Sequence, residues 1–199
     1  PAVRNRAIEL LAEVGFNEFI PGKPTEMALI FNPIMRHNIG EVFDVYVWAR
    51  ERNIYSLSSP AMVSGQCRDE MFLKGINPSA KELVSLYIKI NVWAIQRGIY
   101  SISDIEREGV SPYAGVLPCQ QVGSGPFVRR DGAVLRCPGD DVSIQGRIQV
   151  QSLSDIWRSS ENLNVYGGMS NVGCPPKLGK TIPTSLFDKV LEGVLEALK

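Results

Sequence analysis

Asp131 and Gly132 stand between two short apolar-alternating stretches, Phe127 to Arg130 and Ala133 to Arg136. Asp-Gly in that setting is a strong hairpin signal, because the residues of a tight two-residue reversal must tolerate positive φ. The reversal folds Cys137, which closes the run Asp131 to Cys137, back toward the segment that carries Cys119. Cys174, flanked by Gly173 and the stiff pair Pro175-Pro176, can supply a third thiolate. Three sulfurs gathered in this way predict a metal or iron–sulfur site.

The rest of the composition bounds what such a site can belong to. The chain has 199 residues, 44% apolar and 21% charged, enough for a real core in one domain or one and a half. Its 21 basic residues balance 21 acidic ones, so it has no broad basic surface for nonspecific nucleic-acid binding. No apolar run approaches the roughly 18 residues of a membrane span, and no secretory leader precedes the fold, which makes the expected location cytoplasmic. Four cysteines are too few for a secreted disulfide scaffold, so reduced thiolates are expected. Pro1 in place of a methionine, followed at once by a helical pattern, gives the expectation of a fragment lacking its native amino-terminal part.

Val3, Ala7, Leu10, Leu11 and Val14 follow helical spacing up to Gly15. Met27 to Phe31 is a continuous apolar run of strand length, expected to be buried on both faces. A second helix after Asn38 carries Val42, Val45, Tyr46 and Ala49 on one face and leads to a short strand, Ile54 to Leu57. Helix, strand, helix, strand in this order predicts α/β organisation, with parallel strands joined by helical crossovers. A long helix follows, opened by a Ser79/Glu82 capping box and stopped by Gly98. From about Tyr113 the chain becomes rich in Gly, Pro and Cys, with the hairpin, a short helix near 152–160, an irregular loop through 167–180 and a last helix from about Thr184. The predicted boundary lies near residue 112, dividing the chain into 1–112 and 113–199.

Cys119, twelve residues, Gly132, four residues and Cys137 resemble the opening cysteine pattern of the carboxy-terminal extension of radical S-adenosylmethionine enzymes, called SPASM, or twitch in its shortened form. Gly146-Arg147-Ile148 and then Ser152 to Ser160 are similar to the family's continuation after that pattern. Ile34 to Val42, with Trp48-Ala49-Arg50-Glu51-Arg52 further on, resembles a strand and helix from the later part of the family's barrel. The resemblance implies the later part of a partial (β/α)6 barrel in 1–112, followed by a small α+β SPASM/twitch domain with a β-hairpin in 113–199. The complete enzyme would cleave S-adenosylmethionine to a 5'-deoxyadenosyl radical, which abstracts hydrogen from a peptide or small-molecule substrate. A reductant such as flavodoxin or ferredoxin would feed it electrons. The chain lacks the Cys-x3-Cys-x2-Cys motif of the catalytic 4Fe-4S cluster, so alone it cannot start that chemistry. Three cysteines after residue 112 fit the twitch form, with one auxiliary cluster of 4Fe-4S type.

Thiolates suit iron because soft, charged sulfur donates well to it, and a cubane offers four irons to ligate. Cys119, Cys137 and Cys174 leave one iron open to substrate or to a further ligand, with Cys67, Asp140 and Asp141 as candidates. Against this stand buried apolar thiols with no ligand, or a zinc site in a nonenzymatic protein-interaction module. Cys67 follows the second strand near the end where α/β barrels place their chemistry, and could donate a hydrogen atom, ligate a cluster or do neither. The resemblance makes Asn32 and Arg36 candidate S-adenosylmethionine contacts, the arginine pairing with the methionine carboxylate. The alternative is that Arg36 and Asn38 shape a turn. Arg4 is a weaker candidate, Lys177 could offset cluster charge, and His37, Trp93 and Trp157 are expected to be structural.

Overall fold

The computed structural model describes residues 2–30, 33–61, 67, 69–110, 125–137, 143–160, 163 and 185–199. Its first half runs α1 (Ala2–Glu13), β1 (Ala28–Ile30), α2 (Ile39–Arg50), β2 (Tyr55–Leu57), α3 (Glu70–Ile76), α4 (Ala80–Gln96) and α5 (Ile102–Glu108). The second half holds β3 (Phe127–Val128), β4 (Ala133–Leu135), β5 (Gly146–Arg147), α6 (Leu153–Ser159) and α7 (Leu186–Ala197). Among the described residues no helix is long and apolar enough to cross a membrane.

β1 and β2 pair in parallel, Ala28 beside Tyr55 and Ile30 beside Leu57, with α2 as the crossover between them. A further parallel bridge joins Ile34 to Pro60. These are the parallel strands among the described residues. The apolar run at β1 is not buried on both faces: Met27 is buried and Leu29 half-buried, but Ala28 is exposed. Asn53 takes a left-handed φ of 52° between α2 and β2, and Ile54 N–H reaches back to the Ala49 carbonyl at 2.9 Å. An asparagine tolerates that conformation, and here its amide also donates to the carbonyls of Asn17 and Glu18.

The stripe read along α1 does not enter a core. Val3, Leu10, Leu11 and Val14 are all exposed, and Ile8 is the α1 residue that packs on Met27, Ala49 and Ile54. Helical periodicity shows only that such a face exists, not that a partner covers it.

The main core forms around α4. Its Ser79 and Glu82 make the expected capping box, Ser79 Oγ accepting from the Glu82 N–H at 3.2 Å and Glu82 Oε2 accepting from the Ser79 N–H at 2.7 Å. Leu83, Leu86, Tyr87 and Ile90 are buried against Val42 and Tyr46 of α2 on one side and Leu186, Val190 and Val194 of α7 on another. The last helix, grouped by composition with 113–199, thus packs into the core of the first unit. Close contact is required there, since a Cβ at Gly193 would lie 2.8 Å from Ile88 Cγ1. α5, which the apolar pattern does not reveal, is started by a second capping box of Ser101 and Asp104.

Asn91 is the fully buried polar residue of α4. Its amide donates to the Tyr87 carbonyl at 2.7 Å and to the Val110 carbonyl at 3.4 Å, and its oxygen accepts from the Tyr100 hydroxyl at 3.0 Å. Replacing it with leucine keeps the volume and strands its partners. Asn91→Leu is expected to lower stability by about 1–3 kcal/mol, read as a lower urea midpoint at unchanged slope; an unchanged midpoint would show that these bonds contribute nothing net.

Candidate functional site

The hairpin forms where Asp-Gly predicts it, but with a different turn. Gly132 N–H donates to the Arg129 carbonyl and Arg129 N–H to the Ala133 carbonyl, both at 2.8 Å. Arg129 to Gly132 therefore make a type I turn that ends in a left-handed glycine, φ +74°. Positive φ falls on Gly132 and not on Asp131, because the loop is one residue longer than a two-residue reversal. A Cβ at Gly132 would also run into the Gln149 side chain, whose amide donates to the Asp131 carbonyl at 2.7 Å.

The turn sets the register of three antiparallel strands. Phe127 lies opposite Leu135, Val128 opposite Val134, and Val134 in turn opposite Gly146 of β5. β4 is central, and Ala133, Val134 and Leu135 are all fully buried. α6 covers this sheet: Ile156 and Leu163 pack on Val134, and Ile156 comes so close to Gly146 that a Cβ there would lie 2.7 Å from its Cγ1. Ser160 ties the layer together, its hydroxyl donating to Gln145 Oε1 at 2.7 Å and accepting from the Leu163 N–H at 3.1 Å.

Cys137 leaves β4 two residues beyond Leu135 and is half-buried. Continuing the Phe127–Leu135 register by two residues sets position 137 opposite Gly125, six residues after Cys119. Cys119, Cys174, Asp140, Asp141 and Lys177 lie outside the described residues, as does Asn32.

Arg36 stands at the carboxyl end of β1, beyond the Ile34 bridge. It is exposed; its Nη2 donates to the Lys74 carbonyl at 3.0 Å and its backbone N–H to the Ile76 carbonyl at 2.7 Å, which ties the turn to the end of α3. One guanidinium nitrogen is thereby engaged, and the fork keeps other donors for a ligand. Asn38 acts wholly within the turn, its oxygen accepting from the Met35 N–H at 2.8 Å and its amide donating to the Pro33 carbonyl at 3.0 Å. Cys67 is half-buried, just before α3, so that it and Arg36 both follow the carboxyl ends of the parallel strands. His37 and Arg4 are both exposed and line a groove between α1 and α2. Trp93 is structural, packing edge-on to Tyr46 with ring centroids 5.8 Å apart, and Trp157 packs beside Val134 and Ile156.

Sequence reasoning passed over a second group. Arg50, Ser56 and Ser58 line a cavity between α2, β2, α4 and α5, and each holds a buried polar atom without a hydrogen-bond partner. An arginine at a helix end and serines in a short strand carry no motif, so only their convergence in space marks them.

Comparison with protein-family models, with curated proteins and with solved structures finds no match to this chain.

Two tests follow from the turn. Gly132→Ala places a Cβ in left-handed backbone and against Gln149, and is expected to cost at least about 1–2 kcal/mol, measured by thermal unfolding; a neutral result would deny the turn its role. Asp131 is held well below the usual carboxylate range, first by the Arg129 guanidinium and then by the Ala133 N–H. A depressed folded value stabilises above the unfolded carboxylate value of about 3.9 and is lost as pH falls below it. Asp131→Asn should therefore lower the melting temperature at pH 7 and remove part of the decline below pH about 4; identical pH profiles for the two proteins would contradict this.

Proposed function

We propose that this chain is the carboxy-terminal portion of a radical S-adenosylmethionine enzyme, with 1–112 forming later elements of a partial barrel and 113–199 a SPASM/twitch domain that holds one auxiliary iron–sulfur cluster. In this reading Cys119, Cys137 and Cys174 are the ligands. The observation that carries it is the hairpin: the glycine of the Gly-x4-Cys spacing takes the left-handed conformation that only glycine accepts without strain, and the cysteine leaves a fully buried central strand. Six residues span at most roughly 20 Å, so Cys119 can reach Cys137 across the open end of the hairpin. Three thiolates are a donor set that suits iron–sulfur ligation and leaves one iron available.

Once bound, the cluster would supply an electron acceptor or a Lewis-acidic iron beside the substrate, while S-adenosylmethionine and its own cluster in the complete enzyme supply the hydrogen-abstracting chemistry. The chain's residues provide placement. The three-stranded sheet fixes the Cys137 backbone, and α6 shields the strand behind it. At the carboxyl ends of β1 and β2, Arg36 offers its remaining guanidinium donors to a carboxylate, with Asn32 beside it in sequence. Cys67 occupies the same end, where a thiol could donate hydrogen or complete a ligand set. The substrate in this reading is a peptide or small molecule, the electron donor a flavodoxin or ferredoxin, and the compartment the cytoplasm.

Anaerobic reconstitution of the chain with ferrous iron and sulfide tests the proposal. It predicts a brown protein with absorption near about 400 nm, most of which Cys137→Ala removes. A colourless protein, or one that takes up zinc and no iron, contradicts the cluster and points to a zinc-stabilised interaction module.

A further inference from the structure

The cavity between the helices and β2 has a volume of about 360 Å³, within the range of small-ligand pockets. It lies on the helix-covered side of β2. Ile54, Ser56 and Ser58 alternate onto one side of the chain, and Ile54 packs against Ala49 of α2 and Ile8 of α1. Facing the serines are Tyr46 and Arg50, one turn apart on α2, with Ile34, Ile90 and Val110 among the apolar walls.

Most polar groups of the cavity are already engaged. The Tyr100 hydroxyl donates to Asn91 and interacts with the Tyr46 hydroxyl. Burial raises the pKa of both phenols, so they stay neutral. Asp104 accepts from the Ser101 N–H at 2.8 Å and from Arg107 Nη2 at 2.6 Å. Arg50 Nε, Ser56 Oγ and Ser58 Oγ, by contrast, are buried and without a hydrogen-bond partner. The Arg50 guanidinium stacks over the Tyr55 ring, 5.8 Å from its centroid, and among the described residues no carboxylate pairs with it. Its place in the last turn of α2 suits its charge, but does not satisfy the buried Nε.

The missing partner has a definite chemistry. A guanidinium only donates, and the two hydroxyls that line the same cavity can donate as well, so the set lacks an acceptor of several hydrogen bonds. Water accepts two at most and does not answer the charge. We propose that the cavity binds a small organic anion, its oxygens held by Arg50, Ser56 and Ser58 and its carbon body resting on the isoleucines and tyrosines. The site is separate from the cysteine hairpin and does not depend on a cluster.

Isothermal titration calorimetry of the full chain with benzoate, phenyl phosphate and uncharged benzamide tests this. At least one of the two anions should bind saturably, benzamide about tenfold or more weaker, and the anion preferred identifies the head group as carboxylate or phosphate. Arg50→Met, which keeps the apolar stem, should weaken that anion about ten- to hundredfold. Ser58→Ala, which removes one hydroxyl, should weaken it by a smaller factor and serves if Arg50→Met does not fold. Binding of neither anion, as in a cavity filled by water alone, overturns the proposal, and so does equal affinity for benzamide or an unchanged affinity in a folded Arg50→Met or Ser58→Ala protein.

Discussion

At Gly132 the backbone takes a left-handed φ of +74°, in a place where a Cβ would collide with Gln149. That conformation lets a type I turn close on itself, and the closed turn fixes how β3, β4 and β5 line up. Because side chains alternate with a period of two, a slip of one residue would exchange the two buried faces of β4, take Val134 away from Ile156 and Leu163 and move Cys137 to the opposite side. Ile156 and Leu163 hold the register by packing on Val134. Asp131, bound by Arg129 and approached by Arg147, holds the turn from outside. The position of the one described cysteine of the proposed cluster thus follows from a glycine five residues before it.

α4 has the corresponding role in the first half. It is buried against α2 on one side and against α7 on the other, so helices far apart in sequence share one core. Asn91 links that core to Tyr100 and Val110, which ties the segments before and after α5 to α4. The cavity of Arg50, Ser56 and Ser58 lies in the space this arrangement leaves between α2, β2 and α5. Two sites of different character follow: a thiolate at a strand end, and a cationic pocket under the helices.

Much of the first half was legible because its elements are long or carry local signals. Ser79 and Glu82 announce α4, and Gly98, φ +66°, ends it. The seven residues of α5 have too little length for a stripe, although Ser101 and Asp104 spell the same capping logic and could have revealed it. Asp-Gly located the hairpin but suggested the wrong loop length, since Arg129 and Arg130 belong to the turn and not to the strand. Periodicity misled at α1, where the apolar stripe is exposed, and at β1, where an unbroken apolar run has Ala28 open to solvent. Both errors have one cause: a pattern states what a segment can bury, and the rest of the chain decides whether it does. The three cysteines stood out because thiolates at a Gly-x4-Cys spacing are rare. Arg50 and the two serines did not, because residues of those types are common and only the fold brings them together.

Iron K-edge absorption on the reconstituted chain probes the metal's own neighbours and so bears most directly on the proposed cluster. A shell of sulfur atoms at roughly 2.3 Å, diminished in Cys137→Ala, is the predicted result. Iron surrounded only by oxygen and nitrogen, or a sulfur shell that the loss of Cys137 leaves intact, would contradict it.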